Sequence, residues 1–410
     1  MNPRPLIALL SLCLSLTPTI VSAAAPAAPA TSGPLRLASG QLLFNHRPAA
    51  AIGVNYFDGF RRLLDPSTPK SEALGYVEGL RVLAEHEIPF ARFAACGFYP
   101  NELRLYRDDP QRYFGLLDGF VAEAEKQQVG LIPCLFWAFF AAPDLVGEPI
   151  QSWGDPASNT REFMRRYTTD VVTRYRNSPA IWAWQFGNEF LLEADLPEHD
   201  PANVWIVPQL GTPTKRTAAD LLRSADVIAA YKDFAETVRS LDPVRPIMTG
   251  NTVPRASSWH LRRGLGWEPD TREQSAAVVS EDNPDPNSMI SGHMYANFCN
   301  EPHYFPAKTG IGESIAIWQE LAKSTGKPFF LGEFGADPKA TPEARRTQTE
   351  TYVAEIVRQR VPLSALWVYD TLNTDVAVWN VRADNENAYA LTLLRDANRH
   401  LRATAPTPAR

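Results

Sequence analysis

Eight stretches of the chain are almost unbroken apolar runs, and between them polar residues return on a helical period. The runs are AAIGVNYF (50–57), IPFARFAA (88–95), VGLIPCLFW (129–137), AIWAWQFGNE (180–189), RPIMTGN (245–251), SMISGHMY (288–295), KPFFLGEFG (327–335) and LSALWVYD (363–370). Continuous apolar character is expected of parallel strands covered on both faces. Helical stripes fill the intervals: Leu74, Val77, Leu80 and Leu83; Phe114, Leu117, Phe120 and Ala124; Phe163, Tyr167, Val171 and Tyr175; the segment Leu222–Leu241. Further stripes are Ile315, Trp318 and Leu321; Tyr352, Val353, Ile356 and Val357; and Leu391, Leu394 and Leu401. Each predicts a helix with one face packed on a sheet. After the fifth run the helix falls over 256–264 or 271–281. A strand followed by a helix, eight times over, predicts a closed (β/α)8 TIM barrel, an α/β fold in one domain spanning 35–405. An open doubly wound sheet usually carries a Gly-rich phosphate turn after its first strand, and GVNYFDGF is no such turn.

The barrel gives meaning to two carboxylates that otherwise sit oddly. Glu189 ends the fourth run and Glu333 lies near the end of the seventh, each against large apolar neighbours where an ionised group is poorly placed. In a closed barrel the C-terminal strand ends share one rim, where the βα loops build the active site. Closure therefore brings both glutamates to the mouth, facing one another. Two facing carboxyl groups suit glycosidic bond cleavage, in which one is protonated to release the leaving oxygen and the other is ionised to attack the anomeric carbon. Different surroundings would hold their pKa values apart.

Residues at neighbouring strand ends extend the picture. Arg92 near the end of the second run can hold Glu333 ionised, since a nearby positive charge favours the carboxylate; the same residue type also makes ordinary structural ion pairs. His293 and Tyr295 alternate along the sixth run and so share a face. Tyr295 would donate to Glu333. His293 would bond near it or at the reacting sugar, although a histidine inside a barrel is also commonly a satisfied core residue. Long segments after the strands carry aromatics suited to stacking on sugar rings: Trp153 in 138–157, Trp205 in 190–214, His303 and Tyr304 in 296–311, and Trp379 with Asp375 in 370–384. At least two of these aromatics are expected to stack on sugars.

Composition narrows the partners. The net charge of −6 argues against nucleic acid or an anionic membrane surface. At the N-terminus Arg4 precedes an apolar run from Leu6 to Leu16, and small residues offer a cleavage point after Ala23. That run is short of the roughly 20 residues a bilayer span needs. The reading is a signal peptide over 1–23, an Ala/Pro-rich linker over 24–34, and a secreted or periplasmic protein with no other membrane segment. Cys96, Cys134 and Cys299 remain after the signal, enough for one bridge at most and not spaced as a zinc site. Buried thiols are the expected state, with no metal and no cofactor.

The barrel with Asn188-Glu189 at the fourth strand end and Glu333 at the seventh resembles the clan A glycoside hydrolases. It is most similar to family 5, the cellulase and mannanase family, over essentially the whole mature chain. The likeness rests on Arg92, GNE (187–189), HMY (293–295), GEFG (332–335) and Trp367 in the eighth run, in that order at strand ends. The resemblance implies that Glu189 is the acid/base and Glu333 the nucleophile of a retaining β-glycosidase acting through a covalent glycosyl-enzyme. It implies that Asn188 bonds the sugar's 2-hydroxyl and that Trp367 floors the reacting sugar, a tryptophan that would otherwise simply fill the barrel. Many family members carry a histidine near the end of strand three, where this chain reads PCLFWAFF. An aromatic residue there is closer to the mannanase-like branches, so β-mannan is favoured over β-glucan.

Other chemistries lack their signatures. GVNYF has no His-x-His pair for a metal-dependent amidohydrolase, and Lys327 enters the seventh strand at the wrong end for a Schiff-base aldolase. The remaining alternative is a sugar-binding protein on an inactive barrel.

Overall fold

The structure is a computed structural model that describes residues 35–299 and 309–406. The signal and linker segments, with His303 and Tyr304, lie outside the described residues. Eight parallel strands form one sheet: Ala51–Asn55, Phe90–Ala94, Gly130–Phe136, Trp184–Gly187, Ile247–Met248, Ile290–Tyr295, Phe329–Gly335 and Leu363–Leu366. Each falls inside one of the eight apolar runs. Neighbours in space are neighbours in sequence, and the eighth strand pairs with the first through Leu363 opposite Ala51 and Leu366 opposite Val54. The fifth and sixth meet through Ser288 N and Met289 N, which donate to the Ile247 carbonyl at 2.8 and 3.2 Å. The sheet is a closed (β/α)8 barrel.

Period-two alternation divides each strand between two cores. Ile52, Val54, Leu131, Phe186 and Leu331 face the helices. Phe90, Ile132, Ala183, Met248 and Phe330 point inward and fill the lower half of the barrel. The inward positions one step further along are polar. They include Asn55 after Gly53, Arg92 after Phe90 and Gln185 after Ala183, all three fully buried. Hydrophobic side chains thus plug the bottom of the barrel, and polar ones take over toward the C-terminal mouth.

Three features depart from the sequence reading. The stripe Leu74, Val77, Leu80, Leu83 is only half right, because the helix Tyr76–Glu85 buries Tyr76, Leu80, Val82 and Leu83. Leu74 is 46% and Val77 39% exposed. Leu74 lies outside this helix, at the end of a short one at Lys70–Ala73, and at about 100° per residue a strict three-residue step carries Val77 off the packed face. Both intervals offered for the helix after the fifth strand are used, as a turn at Ser258–Leu261 and a helix at Arg272–Asp282. An antiparallel sheet of Leu35–Ala38, Gln41–Phe44 and Arg47–Pro48 precedes the barrel. Its two-residue turns place Ser39, Gly40, Asn45 and His46 at positive φ, as type I′ hairpins require. The sheet caps the lower mouth, where Phe44 packs 4.8 Å from Trp182.

Cys96, Cys134 and Cys299 are buried and unbridged. Among the described residues no helix is long and apolar enough to cross a membrane.

Candidate active site

Glu189 and Glu333 reach the mouth by different local devices. The seventh strand carries a bulge at Gly332: Leu331 pairs with Gly292 and Glu333 with His293, so Gly332 is the extra residue. Without it, Glu333 would fall on the side of Leu331 and point into the helical shell. The bulge turns the carboxylate into the barrel, and Asn55 Nδ2 donates to the Gly332 carbonyl at 2.8 Å. A Cβ on residue 332 would lie 2.8 Å from His293 Nε2, so the position needs glycine.

Glu189 stands just past its strand with φ +56°, a left-handed conformation uncommon for a residue with a side chain. Its backbone N–H donates to the Gly250 carbonyl at 3.1 Å, and the Gly187 N–H donates to Thr249 at 3.0 Å. Gly250 itself has φ +82°, and a Cβ there would sit 1.9 Å from the Gly187 carbonyl oxygen. Only glycine allows the fifth strand to approach closely enough to hold Glu189 in place.

Arg92 organises the floor of the site. Its guanidinium donates to Gln185 Oε1 at 2.6 Å, Asn55 Oδ1 at 2.8 Å, Asn188 Oδ1 at 2.7 Å and Glu333 Oε1 at 2.8 Å. The Trp137 ring covers it, with the guanidinium carbon 4.6 Å from a ring centroid. A buried cation with this many partners is fully compensated, which is what makes its burial tolerable. Since arginine only donates, it fixes the Asn188 carbonyl oxygen inward and leaves the amide NH2 to face the mouth. Trp137 directly follows the third strand and serves as the lid on Arg92.

The two carboxyl groups have unequal company. Glu333 accepts from Arg92 on Oε1 and from the Tyr295 hydroxyl on Oε2 at 2.6 Å. Glu189 Oε1 lies 2.7 Å from His293 Nδ1, which is 3.5 Å from Glu333 Oε1. Burial pushes the Glu189 carboxyl up to about 7, with Arg92 and Arg255 pulling the other way. Burial also raises Glu333; the charge of Glu189 adds to this, while His293, Arg92 and Tyr295 oppose it. Burial pushes His293 down to about 3, so the imidazole is neutral. Both oxygens of Glu333 are thus held by donors, which favours its ionised form over that of Glu189.

A carboxylate oxygen of each glutamate and a ring nitrogen of His293 all lie within 4.8 Å of one another. Three such atoms would also suit a cation, but Arg92 fixes a positive charge against Glu333, and Coulomb repulsion weighs against a second one.

The remaining candidates divide. Trp367 lies one residue past the eighth strand, half-buried, its ring 6.3 Å from Trp137 and 6.2 Å from Phe57. Trp379 packs 5.7 Å from Tyr295, and its indole donates to the Ala336 carbonyl at 2.8 Å. Trp205 is 47% exposed. Trp153 is a correction: it is completely buried, donates to the Phe139 carbonyl at 2.7 Å and packs on Phe136, Phe186 and Phe190, so it is core and not a sugar platform. The sequence reading missed Asn55, Gln185 and Arg255. The first two were findable, as polar residues of inward parity near strand ends; Arg255 lies on an irregular loop with no pattern to mark it. A mostly apolar recess of about 570 Å³ lies at the opposite mouth, lined by Leu35, Phe44, Trp182 and Leu401, and takes no part in this constellation.

A (β/α)8 barrel with two facing glutamates at its C-terminal mouth has the architecture of a glycoside hydrolase. The family follows from the sequence: residues 149–379, more than half of the chain, match the model for Cellulase (glycosyl hydrolase family 5), and the chain belongs to that family. Curated relatives match over shorter stretches. Mannan endo-1,4-beta-mannosidase A of Podospora anserina is 39% identical over 79 residues, 18% of this chain and 21% of its own length. Beta-galactosidase BoGH2A of Bacteroides ovatus is 28% identical over 116 residues, 27% of this chain and 13% of its own length. In structure the chain is similar to the endo-1,4-beta-mannanase of Rhizomucor miehei, with a TM-score of 0.62 and 13% identity over 90% of this chain and 99% of that one. At that identity the likeness speaks for the fold.

Proposed function

We propose that the protein is a retaining β-glycosidase acting on β-linked polysaccharide, with β-mannan preferred over β-glucan. One observation carries the reading. Two glutamates face each other with one oxygen of each within 4.8 Å of the other, one glutamate held by two donors and the other by a neutral histidine. Carboxyl groups about 5–5.5 Å apart serve double displacement, whereas inversion needs roughly 6.5–9.5 Å to admit a water.

In the first step the Glu333 carboxylate attacks the anomeric carbon, and the glycosidic C–O bond breaks as Glu189 gives its proton to the leaving oxygen. In the second, Glu189, now ionised, takes a proton from water; the oxygen of that water displaces Glu333 from the sugar. Both glutamates return to their starting states. The Asn188 amide NH2, aimed by Arg92, donates to the 2-hydroxyl. His293 keeps Glu189 oriented through both steps, since its Nδ1 accepts from the acid in one tautomer and donates to the carboxylate in the other. Preference for mannan is supported by the partial match to a mannosidase and by Trp137 at the strand-three end. Export guided by the N-terminal apolar run would put the enzyme where polysaccharide is.

The test is to incubate the mature protein with β-mannan, β-glucan and aryl β-glycosides while following product anomers by NMR. Release of the β-anomer first is expected, with Glu189→Gln and Glu333→Gln each lowering turnover by orders of magnitude. Binding without hydrolysis by the unmutated protein, or an α-anomer as first product, overturns the reading.

A further inference from the structure

The segment after the fifth strand holds Glu189 from more than one side. The Gly250 carbonyl accepts from the Glu189 backbone N–H at 3.1 Å. Asn251 Oδ1, fixed by the Tyr231 hydroxyl at 2.7 Å, accepts from the Leu191 N–H at 3.5 Å. Thr252 Oγ1 donates to the backbone carbonyl of His293 at 3.1 Å, so the same segment also reaches the residue whose imidazole partners Glu189. Arg255 completes the frame. Its guanidinium donates to the Leu192 carbonyl at 2.6 Å, and the Leu192 N–H donates to the Glu189 carbonyl at 2.9 Å. These bonds close the single turn Phe190–Glu193 that follows the left-handed Glu189. A residue with a side chain keeps that conformation only where its surroundings hold it. Residues 250–255 supply that hold.

Arg255 brings a charge as well as a bond. The titratable and charged groups that face Glu189 are Arg92 from the second strand, His293 from the sixth, Glu333 from the seventh and Arg255 from this segment. His293 is neutral, and Arg92 is bonded to Glu333 at 2.8 Å. Arg255 is therefore the cation at Glu189 that Glu333 does not hold. Its own surroundings add Glu193 on the turn, which lies 3.7 Å from His199. The bond to Leu192 fixes the guanidinium, while the Glu189 carboxyl is bonded to His293 instead. The distinction matters chemically. An arginine bonded to the acid would keep it ionised at rest and leave no proton to give, whereas a cation held nearby is felt mainly once the proton has left. A fixed charge aimed at a group that becomes charged during the reaction lowers the barrier without having to reorganise.

From this geometry we infer that Arg255 is a positioning residue of the reaction: it clamps the turn that carries Glu189 and supplies the fixed positive charge against which the Glu189 carboxylate forms as the leaving oxygen takes its proton. The inference rests on the glycosidase reading, so one arm of its test follows turnover and the other does not. Arg255→Gln keeps a donor for the Leu192 carbonyl and removes the charge, whereas Arg255→Lys keeps the charge and loses the planar fork. Thermal unfolding checks that each variant is folded. In the first arm, kcat/KM is followed against pH on phenyl and dinitrophenyl β-glycosides of mannobiose and cellobiose; the phenyl leaving oxygen needs a proton and the dinitrophenyl one does not. For Arg255→Gln the alkaline limb should rise by roughly one unit with the acid limb fixed. The rate should fall roughly three- to tenfold on the phenyl substrate and little on the dinitrophenyl one. Arg255→Lys should recover most of both. In the second arm, the Glu189 carboxyl is titrated by carbon NMR in protein labelled at glutamate and assigned with Glu189→Gln. Its midpoint should rise alongside the alkaline limb in Arg255→Gln and stay near the parent's in Arg255→Lys. In a protein that cleaves these glycosides, an unmoved limb and midpoint, or equal losses on both substrates in both variants, would overturn the role of Arg255 alone. A raised midpoint in a protein that cleaves no glycoside would remove the glycosidase reading and the reaction role of Arg255 with it, leaving only the charge pairing. An unmoved midpoint without cleavage removes all three.

Discussion

Tyr295→Phe strips one donor from Glu333 and keeps the ring that packs on Trp379. The hydroxyl lies 2.6 Å from Glu333 Oε2, the length expected of a hydroxyl on an ionised carboxylate. A hydrogen bond to a charged group contributes about 1.5–3 kcal/mol. With the Glu333 side chain 4% exposed, little water is at hand to replace it. The bond favours only the ionised form, so its loss raises the pKa, and at about 1.4 kcal/mol per unit the rise is roughly one to two units. In the proposed reaction attack needs Glu333 ionised, so activity should fail as pH falls through that value. The acid limb of kcat/KM therefore moves upward by roughly one to two units. The alkaline limb reports the proton held by Glu189 at about 7, and that residue is bonded to His293 instead. It should stay in place, so the pH optimum narrows from the acid side. The assay is kcat/KM for an aryl β-glycoside from about pH 3 to pH 9, with thermal unfolding as a check on folding. An acid limb that stays still or moves down, or a profile that narrows from the alkaline side, refutes the division of labour between the two glutamates.

Three further outcomes are expected. Arg92→Met leaves Glu333 buried without its cation and should cost about 3–5 kcal/mol in urea unfolding, with part of that regained in the double variant Arg92→Met/Glu333→Gln; equal losses in both would show that the ion pair is not the cause. Gly250→Ala should lower both stability and kcat, because the added Cβ meets the Gly187 carbonyl at 1.9 Å and displaces the backbone that anchors Glu189; a crystal structure of the variant with Glu189 unmoved would contradict this. Trp153→Phe should reduce stability by about 1–3 kcal/mol through the Phe139 carbonyl left unpaired, with KM for any oligosaccharide unchanged, and a chain-length-dependent KM would return Trp153 to the list of sugar platforms.

Much of this molecule is legible without coordinates, and the physical reason is local. Strands buried on both faces must be apolar throughout, and helices packed on them must carry a stripe, so eight runs and their intervals declare the barrel. The barrel in turn forces the C-terminal ends of the fourth and seventh strands to one rim, which brings Glu189 and Glu333 together although the chain separates them widely. What only the folded chain decides are choices of parity and of close approach. Simple alternation would send Glu333 to the helical shell; a one-residue bulge at Gly332 brings it inside, and glycine in a strand has many other uses. Glu189 depends on Gly250 touching Gly187 from the next strand, a contact between atoms that carry no side chain and leave no pattern. Trp153 and Trp205 read alike, as tryptophans in long loops. One is swallowed by Phe136, Phe186 and Phe190 and the other is propped in the open by Arg216, which donates to its carbonyl, because burial is set by which distant residues happen to meet. Periodicity records the environment of a regular element, while the proton on Glu189 and the charge on Glu333 depend on a three-dimensional field made by side chains from five different strands.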